Sequence, residues 1–255
     1  MSVTIDRRAA GTGDIVTVTL DRQDKLNALD RVSIDALIAA FTSLANDPAL
    51  RVVVLTGAGL KSFVGGADIN ELRALGADTG RAFISALHDL FVLIRKLPVP
   101  VVARVNGYSL GAGMELAAAC DLRVASENAV FGMPEVRIGV PSVIEAALLP
   151  RLVGWGRSNY LVLSAENIDA KTAYDWGFLE SLVPAASLDR EIDRITGAIA
   201  ASGPIAVRAQ KSLIAEWERL PLEDGITTGI DAFAKAFETD EPQRMIQLFF
   251  DRRQG

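Results

Sequence analysis

The most informative part of this chain is the stretch Asn106-Gly-Tyr-Ser-Leu-Gly-Ala-Gly-Met-Glu115. Its glycines predict a turn that opens into a helix, and the first N–H groups of a helix are free to meet a developing negative charge. A second carboxylate follows in Phe131-Gly-Met-Pro-Glu135. Two glutamates beside such donors can divide the work of general acid and general base. The pattern therefore indicates chemistry on an activated carbonyl compound.

Composition narrows the class of protein. The chain has 255 residues, of which 50% are hydrophobic, enough to bury a sizeable core. Its net charge of −6 argues against a nucleic-acid-binding surface. Cys120 is the only cysteine, which excludes an intramolecular disulfide, and we expect it to be a small buried residue. Residues 1–8 lack the apolar stretch of a secretory signal, and no apolar run is long enough to span a membrane. We expect a cytoplasmic protein.

Strand and helix patterns alternate over the first part of the chain. Asp14–Leu20 alternates apolar and polar residues, which predicts a strand with one solvent-exposed face. The β-branched run 51–57 predicts a strand buried on both faces. Between them, 30–45 has helical spacing. Further elements are predicted as a helix at 79–96, a strand at 99–105, a helix through 115–119 and strands at 121–125 and 129–131. This succession is typical of an α/β domain.

After Pro184 the pattern becomes helical. Four segments show helical spacing, at 188–201, 205–219, 223–239 and 241–253. We place a boundary near 200–204, so that residues 1–200 form the α/β core with the site and 201–255 form a helical region.

The segment Gly107-Tyr-Ser-Leu-Gly111 matches the nucleophile turn of serine hydrolases. In those enzymes the histidine follows the serine, whereas the one histidine here, His88, precedes Ser109. A serine without its base is inert, so we reject this interpretation. His88 is expected to be an ordinary helix residue, and one His with one Cys makes a zinc site improbable.

A second glycine turn lies in Phe63-Val-Gly-Gly-Ala-Asp-Ile-Asn-Glu71. It has two interpretations: a loop in which Asp68 caps a short helix, or a second source of backbone N–H donors. Glu115 and Glu135 also have two interpretations, as catalytic groups or as structural residues. For Glu115, the helix dipole alone favours an acid in the first turn of the helix. Their apolar neighbours would raise a carboxyl pKa if the groups were enclosed.

Taken together, these segments resemble the crotonase superfamily, the enoyl-CoA hydratase/isomerase family. The resemblance rests on five segments in the right order: Arg22–Leu29, Val64-Gly-Gly-Ala-Asp-Ile69, Val105–Leu116 with Cys120-Asp121, Phe131–Gly139, and Phe237–Glu241. It implies an α/β fold, a ClpP/crotonase-like spiral of ββα units. It also implies a C-terminal helical region that packs chains into trimers, often paired into hexamers, in which Arg252 or Arg253 could meet a phosphate.

The resemblance also assigns roles. Glu115 and Glu135 match the catalytic glutamates, and Ala67 and Ala112 match the oxyanion-hole positions whose N–H groups bind the thioester oxygen. Coenzyme A and substrate binding is implied for Lys25, Leu26, Ala28, Gly66, Asp68, Ile69 and Gly111. The implied reaction adds water to a trans-2-enoyl-CoA. It needs no metal or redox cofactor, since coenzyme A is part of the acyl-CoA substrate.

Other activities stay open at this point. A 3-enoyl-CoA to 2-enoyl-CoA isomerase needs one base and usually keeps the carboxylate at the Glu135 position, so Glu115 favours hydration. A thioester hydrolase, a retro-aldol enzyme and a non-catalytic CoA-ester or RNA-binding protein are further alternatives. The chain also departs from the family after Gly139, where Glu145 replaces a glycine. We expect either an altered acyl preference with a third carboxylate near the site, or a solvated residue early in a helix.

Overall fold

The computed structural model describes the backbone of residues 2–254 and the side chains of residues 2–251. The role suggested for Arg252 and Arg253 therefore falls on side chains outside the described residues. The strands are β1 (Val3–Ala10), β2 (Gly13–Leu20), β3 (Leu50–Gly57), β4 (Ser62–Val64), β5 (Val101–Val105), β6 (Tyr108–Leu110), β7 (Leu122–Ser126), β8 (Val130–Gly132), β9 (Ile168–Asp169) and β10 (Ser181–Val183).

The α-helices are α1 (Arg31–Ala45), α2 (Ile69–Leu72), α3 (Ala77–Lys96), α4 (Ala112–Ala119), α5 (Leu149–Val153), α6 (Trp155–Ser164), α7 (Ala170–Asp175), α8 (Leu188–Ala200), α9 (Pro204–Trp217), α10 (Leu222–Ala236) and α11 (Glu241–Gln254). Short 3₁₀ turns lie at Gln23–Lys25, Glu135–Ile138, Ile144–Leu148 and Ala185–Ser187. No helix in the described part of the chain is both long and apolar enough to cross a membrane.

The strands form two sheets that the chain visits in alternation. The larger sheet has the order β1-β2-β3-β5-β7-β10 and the smaller one β4-β6-β8-β9. Each consecutive pair, β3/β4, β5/β6 and β7/β8, gives its first strand to the larger sheet and its second to the smaller one. Pairing between successive turns is parallel. This is the spiral of ββα units that the sequence resemblance implies, and the predicted fold class is confirmed.

Helices cover both faces of the larger sheet. Along β3, Val53 and Leu55 pack in the main core with α1, α3 and α4, whereas Val52 and Val54 pack against α8. The run of β-branched residues thus forms a strand buried on both faces, as predicted. Strand β5 begins at Val101 rather than at residue 99, because the preceding Pro100 has no N–H to give to the sheet.

Three parts of the fold differ from the sequence prediction. The short strands β4 (Ser62–Val64) and β6 (Tyr108–Leu110), which lead into the two glycine turns, were not predicted, because three residues are too few to show a periodicity. Strand β1 was not predicted, because it is an edge strand that pairs with β2 alone and exposes most of its residues, so it lacks apolar alternation. After residue 148, helices α5 to α7 and strands β9 and β10 were also not predicted. They are two to ten residues long, too short for a clear periodicity.

The C-terminal helices agree with the four predicted helical segments. Helix α8 ends at Ala200 and α9 begins at Pro204, so a break does occur at the predicted boundary. Whether residues 1–200 and 201–255 are separate units stays a prediction.

Candidate active site

The site begins with the pairing of β4 and β6. These strands are parallel, and Val64 lies opposite Ser109. Ala67 and Ala112 each lie three residues beyond this pair, so the chain leaves both strands at the same edge of the small sheet. A Cβ placed on Gly66 would lie 3.1 Å from the carbonyl oxygen of Leu110, which shows how closely the two loops approach. The two predicted donors are thus on adjacent loops.

The N–H of Ala67 is directed away from its neighbouring strand. Leu29 donates to the carbonyl of Gly66 at 2.8 Å and accepts from the N–H of Asp68 at 2.8 Å. This parallel bridge uses the residues on either side of Ala67, so its own N–H faces the opposite way. Among the described residues, no hydrogen bond uses the Ala67 N–H.

The N–H of Ala112 is the first of helix α4. The first N–H groups of a helix have no partner within it, and no other described residue accepts from Ala112. The preceding Gly111 has φ 52°, a left-handed conformation that suits glycine. Gly113 in turn lets the helix start close to β4, because a Cβ there would lie 2.0 Å from the carbonyl oxygen of Val64.

Glu135 lies directly over the start of this helix. A Cβ on Gly111 would lie 2.3 Å from the Glu135 Oε1 atom, so a side chain at position 111 would displace this carboxylate. The other carboxylate oxygen accepts a hydrogen bond from Ser142 Oγ at 2.8 Å. Burial raises the pKa of Glu135, although its own N–H and Ser142 partly oppose the increase.

Glu115 is buried within helix α4, with 3% of its surface exposed. Its Oε1 atom accepts a hydrogen bond from the Ala146 N–H at 3.0 Å. Burial, assisted by the negative charges of Glu135 and Glu145, raises the pKa of Glu115 to about 8. The structure therefore brings together the two glutamates predicted from sequence and encloses Glu115 as the apolar neighbours suggested.

The residues predicted to bind coenzyme A lie on two loops tied to each other. The Gly65 N–H donates to the carbonyl of Leu26 at 2.9 Å. Lys25 is exposed, and Ala28 is half-buried beside the same loop. Leu26 and Ile69, in contrast, expose 42% and 58% of their apolar surface. The loops thus present a partly apolar surface next to the Ala67 N–H.

Asp68 has a structural role that the sequence left as one of two interpretations. Its carboxylate caps α2 by accepting from the Asn70 N–H, and it also accepts from Arg22 Nη2 at 3.0 Å. Burial opposes ionisation, but these donors together lower the pKa of Asp68. The interpretation of Asp68 as a helix cap agrees with the structure; a role in binding coenzyme A stays a prediction.

Sequence reasoning missed Asn27, which fixes the shape of the loop 22–29. Asn27 has φ 55° and is buried. Its side-chain nitrogen donates to the carbonyls of Ala58 and Ser62, and its oxygen accepts from the Arg22 N–H. The motif Arg22–Leu29 contained this residue, but only the fold shows that its amide holds the loop.

Two further expectations can now be compared with the structure. Ser109 is fully buried and its hydroxyl donates to the Gly113 carbonyl, so it is not presented as a nucleophile. Glu145 is 3% exposed, and its carboxylate contacts His88 Nδ1 at 3.0 Å. The interpretation of Glu145 as a solvated residue is therefore wrong. Sequence gave no sign of its contact with His88, 57 positions away.

Comparison with known proteins decides the family. The model of the enoyl-CoA hydratase/isomerase family matches residues 11–255. The chain belongs to this family, and with it to the crotonase superfamily. A short-chain-enoyl-CoA hydratase of Clostridium acetobutylicum is 34% identical over 94% of this chain and 93% of its own length. A crotonyl-CoA hydratase of Syntrophomonas wolfei is 35% identical over the same shares.

Solved structures of the family have the same fold. The crystal structure of an enoyl-CoA hydratase from Bacillus anthracis superposes with a TM-score of 0.94 at 31% identity, over 99% of this chain and 97% of that one. An enoyl-CoA hydratase from Mycobacterium smegmatis also gives a TM-score of 0.94, at 29% identity, over the same shares of the two chains. The likeness extends through the C-terminal helices, so the family assignment covers the whole described chain.

The raised pKa of Glu115 predicts a pH-dependent stability. The unfolded chain ionises this carboxyl near its ordinary value of 4.5, whereas the folded chain retains the proton to about pH 8. Between these values rising pH favours the unfolded state, by up to about 1.4 kcal/mol per pH unit. We expect Glu115→Gln to remove this pH-dependent loss of stability. As pH rises, the free energy of unfolding of the variant should therefore increase relative to that of the wild type. Denaturant unfolding at fixed protein concentration measures the difference.

The exposed Glu127→Gln provides the control, because it removes a carboxyl that the fold does not enclose. Its stability should follow the wild-type curve at every pH. Parallel curves for Glu115→Gln and the wild type would show that the folded chain does not hold a proton on Glu115.

Proposed function

We propose that this chain is an enoyl-CoA hydratase, which adds water across the C2=C3 double bond of a trans-2-enoyl-CoA to give a 3-hydroxyacyl-CoA. The proposal rests on four groups that lie at one edge of the fold. They are the clustered carboxyls of Glu115 and Glu135 and the N–H groups of Ala67 and Ala112. The names of the Clostridium and Syntrophomonas relatives support the same reaction.

The two N–H groups act on the thioester. Adding hydroxide to C3 moves electrons toward the thioester oxygen, so negative charge grows there in an enolate-like transition state. Fixed donors at Ala67 and Ala112 stabilise that charge without having to reorganise, which is the source of the rate advantage. Because the donors are backbone groups, the alanine side chains at both positions take no part in these hydrogen bonds.

The two glutamates handle the protons. We propose that Glu115 carries the proton at neutral pH, because burial and the negative charge of Glu135 raise its pKa to about 8, and that Glu135 acts as the ionised carboxylate. The ionised carboxylate takes a proton from water as its oxygen bonds to C3, and the protonated carboxyl gives its proton to C2. The pair ends with one proton, as it began. We propose that no separate cofactor takes part and that coenzyme A arrives with the substrate.

The coenzyme A moiety is proposed to lie along the paired loops. Leu26 and Ile69 offer exposed apolar surface, and Lys25 can meet a phosphate. Gly66, Gly111 and Ala28 allow the backbone to approach the thioester arm, because they carry little or no side chain. The cytoplasmic location and the absence of a nucleic-acid partner, expected from the sequence, stay predictions.

Replacing either glutamate should abolish most turnover. We expect Glu115→Gln and Glu135→Gln each to lower kcat by at least ~10²-fold, the usual contribution of one acid–base group, while acyl-CoA still binds. Loss of the conjugated thioester absorbance of crotonyl-CoA measures the rate, and mass analysis separates hydration from isomerisation or hydrolysis. Glu166→Gln, at an exposed ion pair with Arg137, is the control with an expected wild-type rate. Near-normal turnover in either site variant contradicts the mechanism.

The N–H of Ala112 can be removed without shortening the helix. Proline suits the first position of a helix, so Ala112→Pro removes the donor where the fold tolerates it. We expect kcat to fall by about 10²–10³-fold, as for the loss of one oxyanion donor. Ala112→Gly keeps the donor and should retain a rate within a few-fold of the wild type. Equal rates for the two variants would mean that this N–H does not meet the charge.

We also propose a homotrimer, or a dimer of trimers, formed through the C-terminal helices. Apolar residues recur at helical spacing along α10 and at the residue that follows it, and each is about half or more exposed: Ile226, Ile230 and Phe233 on the helix, and Phe237 after it. Such a stripe is more apolar surface than one chain covers, and a second copy of the same chain is a suitable partner.

Sedimentation should therefore give the mass of three or six chains. A charge placed in the stripe by Phe233→Glu should shift the protein toward single chains, since burial of that charge is unfavourable. Thr227→Glu adds the same charge to the same helix outside the stripe and should leave the mass unchanged. A wild-type protein that sediments as one chain contradicts the assembly.

A further inference from the structure

Glu145 is a buried carboxylate for which the proposed hydration has no use. Its two oxygens lie 3.0 and 3.2 Å from His88 Nδ1, and the imidazole, on α3, is half-exposed. Both oxygens therefore lie within hydrogen-bonding distance of the imidazole. A buried carboxylate needs such a partner, since leaving it unpaired costs several kcal/mol.

The backbone beside Glu145 is strained. Ile144 has φ 41°, a left-handed conformation that is an outlier for a β-branched side chain. Such conformations persist only where surrounding contacts hold them. Here the Ala146 N–H is shared between the Val143 carbonyl at 2.9 Å and Glu115 Oε1 at 3.0 Å. The turn 143–146 is thus held through two adjacent residues, Ala146 by Glu115 and Glu145 by His88.

Charge links the same groups. Glu115 senses the negative charges of both Glu135 and Glu145. The turn packs against α3, α4 and α5, whose nearby charged groups are His88, Asp89, Glu115 and Arg151. Asp89 is exposed, and Arg151 donates to the Glu218 carbonyl. Of these groups, His88 is the one within hydrogen-bonding distance of the Glu145 carboxylate.

We propose that His88 and Glu145 are a positioning pair of this active site, which holds the strained turn against Glu115 and sets how firmly Glu115 keeps its proton. The functional consequence rests on the proposed use of Glu115 in hydration. The coupling itself is a property of the folded protein and can be measured without turnover. Its failure is thus distinguishable from failure of the proposed reaction.

The chain offers a direct probe, because His88 is its only histidine. In protein labelled with ¹³C-histidine, one imidazole signal reports on the pair. We expect its shift to show an inflection as Glu115 loses its proton near pH 8. This inflection should vanish in Glu115→Gln and shrink in Glu145→Gln. Asp89→Asn, next to His88 but exposed, should retain it.

The outcomes are decisive in both directions. The proposal is overturned if the wild type, Glu115→Gln and Glu145→Gln all give the same titration curve for the histidine signal. If Glu145→Gln folds poorly, Glu115→Gln alone decides, because the inflection must disappear with that carboxyl.

A kinetic readout separates positioning from simple structural support. Glu145→Gln preserves the shape and an oxygen that accepts from His88, but removes one negative charge facing Glu115. We expect the Glu115-dependent limb of the kcat profile to move to lower pH, because a negative charge that raises the pKa of Glu115 is lost, with KM changed less than about twofold. A variant that only loses thermal stability, with an unmoved profile, contradicts the proposal.

Discussion

The parallel register of β4 and β6 is the constraint on which the site depends. Since Val64 lies opposite Ser109, the chain leaves both strands at one level, and the N–H groups of Ala67 and Ala112 follow at the same edge. Gly113 preserves this arrangement by letting α4 begin against the end of β4. A slip of one residue would reverse the faces of these strands and separate the two donors.

Burial links the stability of the fold with the chemistry of the site. All eight residues of α4 are buried, and Glu115 is among them. An ionised carboxyl is costly in such surroundings, so the folded chain favours the protonated form. The core that positions the helix therefore also gives Glu115 a proton to exchange at neutral pH. Ser142 moderates the same effect at the less buried Glu135.

The elements that could be predicted from sequence are those whose structure is determined by neighbouring residues. The β-branched run of β3, the glycine turns before α2 and α4, and the helical spacing of the C-terminal segments each follow from neighbouring residues. Strand β1 has no local signal, because its pairing with β2 rather than its own apolar pattern defines it. The contact of His88 with Glu145 joins positions 57 residues apart, and only the packing of α3 against the turn brings them together.

The segment after Gly139 shows why a departure from a family pattern has to be considered with its contacts. A third carboxylate beside Glu115 and Glu135 would, by itself, add an unpaired buried charge. His88 on α3 gives that carboxylate a hydrogen-bonding partner, and the left-handed Ile144 shows that tertiary contacts rather than local preference fix the turn. Glu145 can therefore be buried because His88 is its partner. It follows that this segment differs from a glycine-containing loop in the charge it presents to Glu115, and not only in its shape.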